Sequence, residues 1–207
     1  MVERQLRSRG IRDQRVLNAM LVVPREEFVP KRFRREAYTD RPLDIGNGQT
    51  ITQPYMVALM AQSLALRGTE TVLEVGAGCG YHAAVLGALA RRVISIERVP
   101  DLAALAQDNL RRTGLDGNIL IVCGDGSVGY AAEAPYDAIS VAAAAPSVPD
   151  ALLEQLRDPG VLVIPVGSRE EQDLQVLRKE NGVIATRGVS GCRFVPLLGQ
   201  RGWERGE

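Results

Sequence analysis

The sequence predicts an α/β fold: a doubly wound, Rossmann-like sheet with an N-terminal helical layer and C-terminal antiparallel strands. Three observations support this class. Apolar strands alternate with helices along the middle of the chain, the first of these strands ends in the glycine-rich turn EVGAGCG, and Asn181-Gly182 predicts a β-hairpin. Such alternation is typical of a parallel sheet with helical crossovers, and Asn-Gly is a strong hairpin signal.

The chain of 207 residues is long enough for one such domain. We expect three consecutive parts: helices and a loop at 1–65, the α/β core at 66–167, and C-terminal strands at 168–207. No low-complexity segment or linker-like composition separates them. The sequence therefore predicts a single domain over residues 1–207.

Helices are predicted in the first part. Residues 2–20 carry a loose helical stripe of apolar side chains. Pro24 and Pro30 bound a short helix or turn. Residues 54–66 predict a helix with proline in its first turn.

The core predicts strands at TVLEV, RVISIER, ILIVC, YDAISV and VLVIPVG. Helices are predicted directly after the glycine turn, at 100–113, and over VPDALLEQLRDPG, where we expect Pro159-Gly160 to end the helix. Beyond the hairpin, CRFVPLLG predicts a last strand.

Composition argues against several function classes. The 25 Lys and Arg residues balance 25 Asp and Glu residues, so no overall field favours nucleic acid or an anionic membrane. No apolar run approaches the ~20 residues of a membrane span, and the charged start MVERQLRSRG is not a signal peptide. Three separated cysteines without a CxxC pair predict neither a disulfide nor a metal site. We expect a cytoplasmic protein, a monomer rather than an oligomer.

The glycine turn predicts a ligand site. Gly76, Gly78 and Gly80 allow the backbone to approach a ligand closely, and the next helix points free N–H groups at it. The dinucleotide fingerprint requires a third glycine where this chain has Tyr81. The turn is therefore a poorer match to a pyrophosphate binder.

Three carboxylates narrow the ligand class. Glu74 lies inside an apolar strand, while Glu97 and Asp125 each end a strand at the edge where doubly wound sheets bind ligands. Three acids would repel a pyrophosphate, but they suit a cationic ligand with a ribose and an adenine amino group. S-adenosylmethionine has all of these. The alternative is that the acids only cap helices or solvate strand ends.

These features resemble the class I S-adenosylmethionine-dependent methyltransferases. The resemblance implies that Glu74, Gly76 and Gly78 contact the methionine part of the cofactor and that Glu97 binds the ribose. It also implies that Asp125 and Gly126 border the adenine and that Arg98 contacts the cofactor. The product cofactor would be S-adenosylhomocysteine.

A narrower resemblance comes from longer blocks. IGNGQTITQPYM (45–56), the block from Gly124 to Leu156, and CRFVPLLG followed by GW are similar to the protein-L-isoaspartate O-methyltransferase family. That family methylates the α-carboxylate of isoaspartyl residues in damaged proteins and peptides. The ester closes to a succinimide, which hydrolyses partly back to aspartate.

The resemblance makes residues 45–56 a substrate lid over the methyl group. Thr52 stands where the family usually has the serine that supplies the active-site hydroxyl, and threonine adds a methyl group. The implied cofactor contacts in the lid are Thr50, Ile51 and Thr52, and the implied substrate contacts are Ile45, Gly46, Gln53, Val195, Pro196 and Leu197. CRFVPLL would pair with an extended peptide through its main chain. Alternatively, Thr52 is only the N-cap of the following helix.

Methylation of a carboxylate needs no general base, because that group is ionised above a pKa of about 4. Rate then depends on holding the reactants in line. We therefore interpret His82, the only histidine, as a polar residue at the edge of the cofactor rather than as a base.

Three alternatives stay open at this point: a methyltransferase of the same fold acting on another peptide or small-molecule carboxylate, a nicotinamide oxidoreductase, and a non-catalytic cofactor-binding protein. Asn47-Gly48 and Asn181-Gly182 are also steps of the kind at which succinimides form readily. We predict that Asn181-Gly182 deamidates and is repaired by a second copy of the chain.

Overall fold

A seven-stranded mixed sheet organises the chain in the computed structural model, which describes residues 1–204. A two-stranded hairpin lies apart from it. The strands are β1 (Leu43–Gly46), β2 (Gln49–Ile51), β3 (Thr71–Val75), β4 (Arg92–Glu97), β5 (Ile119–Cys123), β6 (Tyr136–Val141), β7 (Leu156–Gly167), β8 (Gln172–Glu180) and β9 (Val183–Cys192).

The order across the large sheet is β5-β4-β3-β6-β7-β8-β9. Strands β3 to β7 pair in parallel, whereas β8 and β9 are antiparallel to the strands they join. The order reverses between β3 and β6, and ligands bind at the carboxyl ends of strands at such a switch point. The predicted doubly wound fold with C-terminal antiparallel strands is confirmed.

Capping residues explain where the helices start. Asp13 accepts the N–H groups of Arg15 and Val16 before the first helix, and Pro54 and Pro100 open two others. The helices are α1 (Gln14–Val22), α2 (Pro54–Leu64), α3 (Tyr81–Gly87), α4 (Pro100–Thr113) and α5 (Asp150–Glu154). Within residues 1–204 no helix combines the length and apolarity that crossing a membrane requires.

The N-terminal apolar stripe is divided rather than continuous. A π-helical segment (Val2–Leu6) and a 3-10 turn (Arg7–Arg9) precede α1. Gly10 separates them from α1 because its φ of 93° is left-handed and stops the helix. The expected short helices at the prolines are present as 3-10 segments at Arg25–Glu27 and Lys31–Glu36.

The predicted helix over VPDALLEQLRDPG was wrong in length. Helix α5 ends at Glu154, and β7 already begins at Leu156. Between them, the side-chain oxygen of Gln155 accepts the N–H of Tyr130 at 2.7 Å. This contact turns the chain into the sheet, so Pro159-Gly160 lies inside β7 instead of ending a helix.

The predicted last strand, CRFVPLLG, was also wrong. Cys192 ends β9, and the residues after it make isolated bridges only: Ala144 N–H donates to Val195 O at 2.8 Å, and Leu197 N–H donates to Ala144 O at 2.7 Å. Pro196 lies between these two bonds and has no N–H to donate to a further strand on its other side.

Apolar clusters cover both faces of the sheet. One contains Val72 of β3 together with residues of α1, α2 and α3. The other contains Leu73 and Val75 of β3 together with Leu152 of α5. All five side chains of β3 are buried, as expected for a central parallel strand. On the face of Val72, the next inward position is Glu74, and this acid is completely buried.

The C-terminal hairpin is confirmed. Strands β8 and β9 pair around Asn181 and Gly182, whose φ angles are 53° and 76°, the left-handed pair of a type I′ turn. The carboxylate of Asp158 accepts the N–H groups of Asn181 at 2.9 Å and of Gly182 at 2.6 Å. The turn is therefore held from outside as well as by its own strands.

Candidate active site

A cleft lies at the carboxyl ends of β3 and β4 and contains about 890 Å³ of open space, including its mouth. The turn after β3, the end of β4, strand β2 and the segment 195–198 form its walls. The predicted site residues that line it are Thr50, Ile51, Thr52, Gly76, Gly78, Glu97, Arg98, Gly126, Val195, Pro196 and Leu197. Segments from both ends of the chain thus meet at the edge of the sheet.

Five predicted residues do not line the cleft: Ile45, Gly46, Gln53, Glu74 and Asp125. Ile45 is buried behind the glycine turn, where its Cδ1 atom would be 3.3 Å from a Cβ placed on Gly78. Gly46 closes β1 and Gln53 precedes α2, so both lie beside the lid rather than in the wall.

The glycine turn is anchored to β4 by its own backbone. The N–H groups of Gly76 and Ala77 both donate to Ile96 O, at 2.8 and 3.1 Å. Gly78 has a φ of 54°, and Gly80 has a φ of 87° with Ala106 packed against the place where a Cβ would be. Glycine at these two positions lets the chain turn tightly between β3 and α3.

Glu97 joins the turn to the cleft. One carboxylate oxygen accepts the N–H of Gly78 at 2.8 Å, and the other accepts the N–H of Val99 at 2.9 Å. Each oxygen has a second lone pair. The carboxylate is therefore oriented by the backbone while it keeps acceptor capacity towards the cleft, as the hydroxyls of a ribose require.

Glu74 is completely buried and does not line the cleft wall, so its expected contact with the methionine part of the cofactor stays a prediction. Ser95 Oγ donates to Glu74 Oε2, and His82 Nδ1 lies 3.4 Å from Glu74 Oε1. Burial raises the pKa of Glu74 to about 8, the Ser95 bond lowers it, and nearby Glu97 raises it. Burial also lowers the pKa of His82 to about 4. Both shifts favour the uncharged form of each group near neutral pH.

Asp125 is also a supporting residue rather than a wall residue. Its carboxylate accepts the Ser127 N–H and hydroxyl at 2.9 and 2.7 Å, and the N–H of Gln200 at 2.8 Å. Burial acts to raise the pKa of Asp125, but the hydrogen bonds from Gln200 and Ser127 lower it overall. The acid fastens the turn that carries Gly126 to the C-terminal segment, and Gly126 itself lines the cleft.

The lid is the β1–β2 hairpin and the residues that follow it. Ile51 pairs with Leu43 and is buried, while Thr50 is exposed and Thr52 is half-buried. The alternative role of Thr52 as an N-cap was wrong, since Gln53 occupies that position before α2 and makes no side-chain cap. The hydroxyl of Thr52 is therefore free of a capping role at the cleft.

Sequence reasoning missed several wall residues. Tyr81 lines the cleft, and the guanidinium carbon of fully buried Arg25 lies 4.7 Å from the centre of its ring. Ala142 and Ala143 at the end of β6 also line it. The two alanines follow a parallel strand of the predicted sheet, so their place at the carboxyl edge was a signal that could have found them. No local pattern pairs Arg25 with Tyr81.

The site fits an adenosyl cofactor with an amino-acid tail. The described part of the cleft wall offers an oriented acid, close backbone approach at two glycines and one basic side chain, Arg98. Beneath it, Glu74 Oε1 and both nitrogens of His82 are buried without hydrogen-bond partners. A glycine-lined wall with one carboxylate oriented by the backbone suits the ribose and the amino-acid tail of such a cofactor.

Comparisons with known proteins agree with this chemistry. A family model described as "Protein-L-isoaspartate(D-aspartate) O-methyltransferase (PCMT)" matches residues 1–202. The chain is similar to the protein-L-isoaspartate O-methyltransferase of Methanoculleus marisnigri, at 55% identity over 99% of this chain and 92% of the relative. It is 53% identical to that of Koribacter versatilis, over 98% and 91%.

Solved structures of the same name superimpose on the chain. One protein-L-isoaspartate O-methyltransferase gives a TM-score of 0.85 at 30% identity, over 98% of this chain and 67% of the other. Another, from Plasmodium falciparum and in complex with S-adenosyl-L-homocysteine, gives 0.78 at 30% identity, over 93% and 94%. With its fold and nearly its whole length matched, the chain belongs to the protein-L-isoaspartate(D-aspartate) O-methyltransferase family.

Proposed function

We propose that this chain is a repair methyltransferase that transfers a methyl group from S-adenosylmethionine to the α-carboxylate of L-isoaspartyl residues in damaged proteins and peptides. The observation that carries the proposal is the meeting of the Thr50–Thr52 lid and residues 195–197 over the Glu97 and glycine-turn site. When bound, the cofactor supplies an electrophilic methyl group on a sulfonium. The nucleophile is the carboxylate of the substrate.

On the cofactor side, Glu97 accepts the ribose hydroxyls. Gly76 and Gly78 let the backbone contact the methionine tail, and Arg98 and Gly126 border the adenine. Their places in the wall of the cleft support these roles. Ile51 fills the apolar side of the lid, where it is 4% exposed.

On the substrate side, Thr52 is the proposed catalytic residue, because its hydroxyl can donate to the attacking carboxylate and orient it. Val195, Pro196 and Leu197 contact the peptide. Val195 O and Leu197 N–H bond to Ala144, and Leu197 O accepts the N–H of Trp203, so the carbonyl of Pro196 is the acceptor that remains. Gly46 and Gln53 are proposed rim contacts.

No general base takes part in this mechanism. His82, which lines the cleft, is nearly buried and its pKa is lowered to about 4. The carboxylate of the substrate is already ionised at pH 7. What the chain contributes is alignment of the two reactants and exclusion of water, and positioning of this kind contributes on the order of 7–11 kcal/mol at most. We propose that the working unit is a cytoplasmic monomer.

The test is methyl transfer from labelled S-adenosylmethionine to two peptides that differ only in isoaspartate or aspartate at one position. We expect base-labile label on the isoaspartyl peptide alone. Label on neither peptide, together with retained binding of S-adenosylhomocysteine, would contradict the substrate and favour another carboxylate. A Gly78→Val variant is the matched negative control, since a side chain at that φ of 54° would distort the turn.

A further inference from the structure

A row of polar side chains crosses the centre of the sheet under the cleft. In the parallel register, Glu74 of β3 lies between Ser95 of β4 and Ser140 of β6. Paired residues of a parallel sheet point to the same face, and His82 of α3 meets Glu74 on that face. The three side chains of the row are 0% exposed.

Most of the hydrogen-bonding capacity of this row is unmet. Ser95 Oγ donates to Glu74 Oε2. Glu74 Oε1, Ser140 Oγ and both nitrogens of His82 are buried and have no hydrogen-bond partner among the described residues. Unsatisfied buried polar atoms each cost free energy. An apolar row would be more stable here, so the polar groups serve something other than stability.

Few other titratable groups face Glu74. The charge of Glu97 on β4 acts to raise the pKa of Glu74, and Glu74 acts to raise the pKa of Cys79 in the glycine turn. Burial raises the pKa of Cys79 to about 11, so this neighbour is an uncharged thiol at pH 7. Strand β6 contributes only the hydroxyl of Ser140 to the row. Within residues 1–204, Glu74 therefore has no fixed positive partner.

His82 connects this buried acid to the cleft. Its Nδ1 atom is 3.4 Å from Glu74 Oε1, and the residue itself lines the cleft wall. For the neutral pair we assign the acid proton to Glu74 Oε1, which faces Nδ1 without a hydrogen bond between them, and the imidazole proton to Nε2. If the acid proton passes to Nδ1 and the Nε2 proton leaves to the cleft, one proton is released and His82 changes tautomer without becoming charged.

We propose that Glu74 and His82 form a switchable counter-charge: the pair releases one proton when cationic S-adenosylmethionine binds, and takes it up again when methyl transfer leaves the neutral thioether. The bonds balance, because the Glu74 O–H breaks, a His82 Nδ1–H forms, and the Nε2–H proton goes to solvent. The inference rests on the proposed use of the cofactor but not on the isoaspartyl substrate.

The pair then discriminates cofactor from product. The acid has its proton below about pH 8, so S-adenosylmethionine binding must remove it and weakens as pH falls. The limit is about tenfold per pH unit. S-adenosylhomocysteine has no sulfonium and lacks this dependence. Both ligands have the same ammonium and carboxylate groups, so the ratio of their dissociation constants isolates the switch.

Isothermal titration calorimetry at pH 7 tests the inference, with each ligand measured in two buffers of different ionisation enthalpy. We expect release of about one proton with S-adenosylmethionine and much less with S-adenosylhomocysteine. In Glu74→Gln the difference vanishes while S-adenosylhomocysteine still binds. Equal proton counts in the wild type, or a difference that survives in Glu74→Gln, would overturn the inference.

A second readout needs no variant. His82 is the only histidine, so ¹⁵N NMR of the wild type reports its tautomer without ambiguity. We expect the Nε2–H form in the free protein and with S-adenosylhomocysteine, and the Nδ1–H form with S-adenosylmethionine. An unchanged tautomer overturns the inference. Protein that bound neither ligand would overturn it together with the proposed function, whereas equal proton counts overturn it alone.

Discussion

At the residue scale, the proposed mechanism depends on one hydroxyl, that of Thr52. Thr52 is half-buried beside the glycine turn and does not cap α2. Compared with the serine that the family resemblance implies at this position, threonine adds a methyl group. In the proposed mechanism the hydroxyl donates to an ionised carboxylate, and hydrogen bonds to charged groups contribute about 1.5–3 kcal/mol.

Two substitutions of Thr52 test the contributions of its hydroxyl and its methyl group separately. We expect Thr52→Val, which keeps the shape and loses the donor, to lower kcat/KM by roughly 10–100-fold. Thr52→Ser should keep or raise activity, since it keeps the donor and relieves crowding. The measurement is initial rate on the isoaspartyl peptide, with S-adenosylhomocysteine affinity as the control. Full activity of Thr52→Val would rule out a role for the hydroxyl.

Glu74 gives stability a defined pH dependence. Its pKa is about 8 in the folded chain and about 4.3 when unfolded. Between these two pH values Glu74 is protonated in the folded state and ionised in the unfolded state. The free energy of unfolding therefore falls as pH rises towards 8, and above pH 8 the stabilisation from this proton is lost. His82, with its pKa lowered to about 4, acts oppositely and only below about pH 6.5.

Glu74→Gln removes that dependence with an uncharged side chain of the same shape. We expect the difference between the Tm of the variant and the Tm of the wild type, measured by calorimetry, to be more positive at pH 9 than at pH 6. Glu133→Gln, which alters a surface pair with Arg92, is the matched control and should show no such trend. An equal Tm difference at both pH values would contradict an ionising buried acid.

At the element scale, the two tight hairpins differ in how their turns are held. Asn181 and Gly182 both donate to Asp158. No side chain within residues 1–204 accepts an N–H of Asn47 or Gly48 in the lid turn, whose φ angles are 53° and 70°. Succinimide formation needs the glycine nitrogen to leave its hydrogen bond and attack the asparagine side chain. We therefore expect deamidation to occur at Asn47 before Asn181, which differs from the expectation based on sequence alone.

Peptide mapping after incubation at 37 °C tests this shift. In the wild type we expect the deamidation mass gain at Asn47-Gly48 first. Asp158→Ala should accelerate it at Asn181-Gly182 several-fold without changing the lid, and Asp173→Ala, elsewhere on β8, serves as the control. Faster gain at Asn181-Gly182 than at Asn47-Gly48 in the wild type would restore the original expectation.

Elements with local signals were predictable, and those set by distant contacts were not. Helix α4 matches its predicted range because Pro100 starts it and Gly114, with a φ of 69°, ends it. The predicted α5–β7 boundary was wrong, and the contact found there, the N–H of Tyr130 donating to the side-chain oxygen of Gln155, has no local signal in the sequence. At the site, the glycine turn and Glu97 were found from spacing. The partners of Asp125 were not, since Gln200 lies far away in the sequence.

At the scale of the whole molecule, the sheet carries the site and the two chain ends complete it. Strands β3 and β4 hold the glycine turn and Glu97 in a rigid, doubly covered core. The opposite wall comes from the lid and from residues 195–198, which lie outside the regular ladder. A ligand in the cleft therefore contacts both the most and the least constrained parts of the fold.

Because the lid and residues 195–198 line the same cleft, we expect a bound ligand to couple the local unfolding of these two segments. Loops with few ladder bonds open at a lower free energy than core strands, so we expect amides near Thr50 and Leu197 to exchange hydrogen faster in the free protein than amides of β3 and β4. A ligand that fills the cleft between the two segments would close both openings together, by about 2.7 kcal/mol at 100 times its Kd. Hydrogen-exchange mass spectrometry should show both segments slowing with the same ligand dependence, as one cooperative unit assembled only on binding; separate dependences would mean that each segment opens alone.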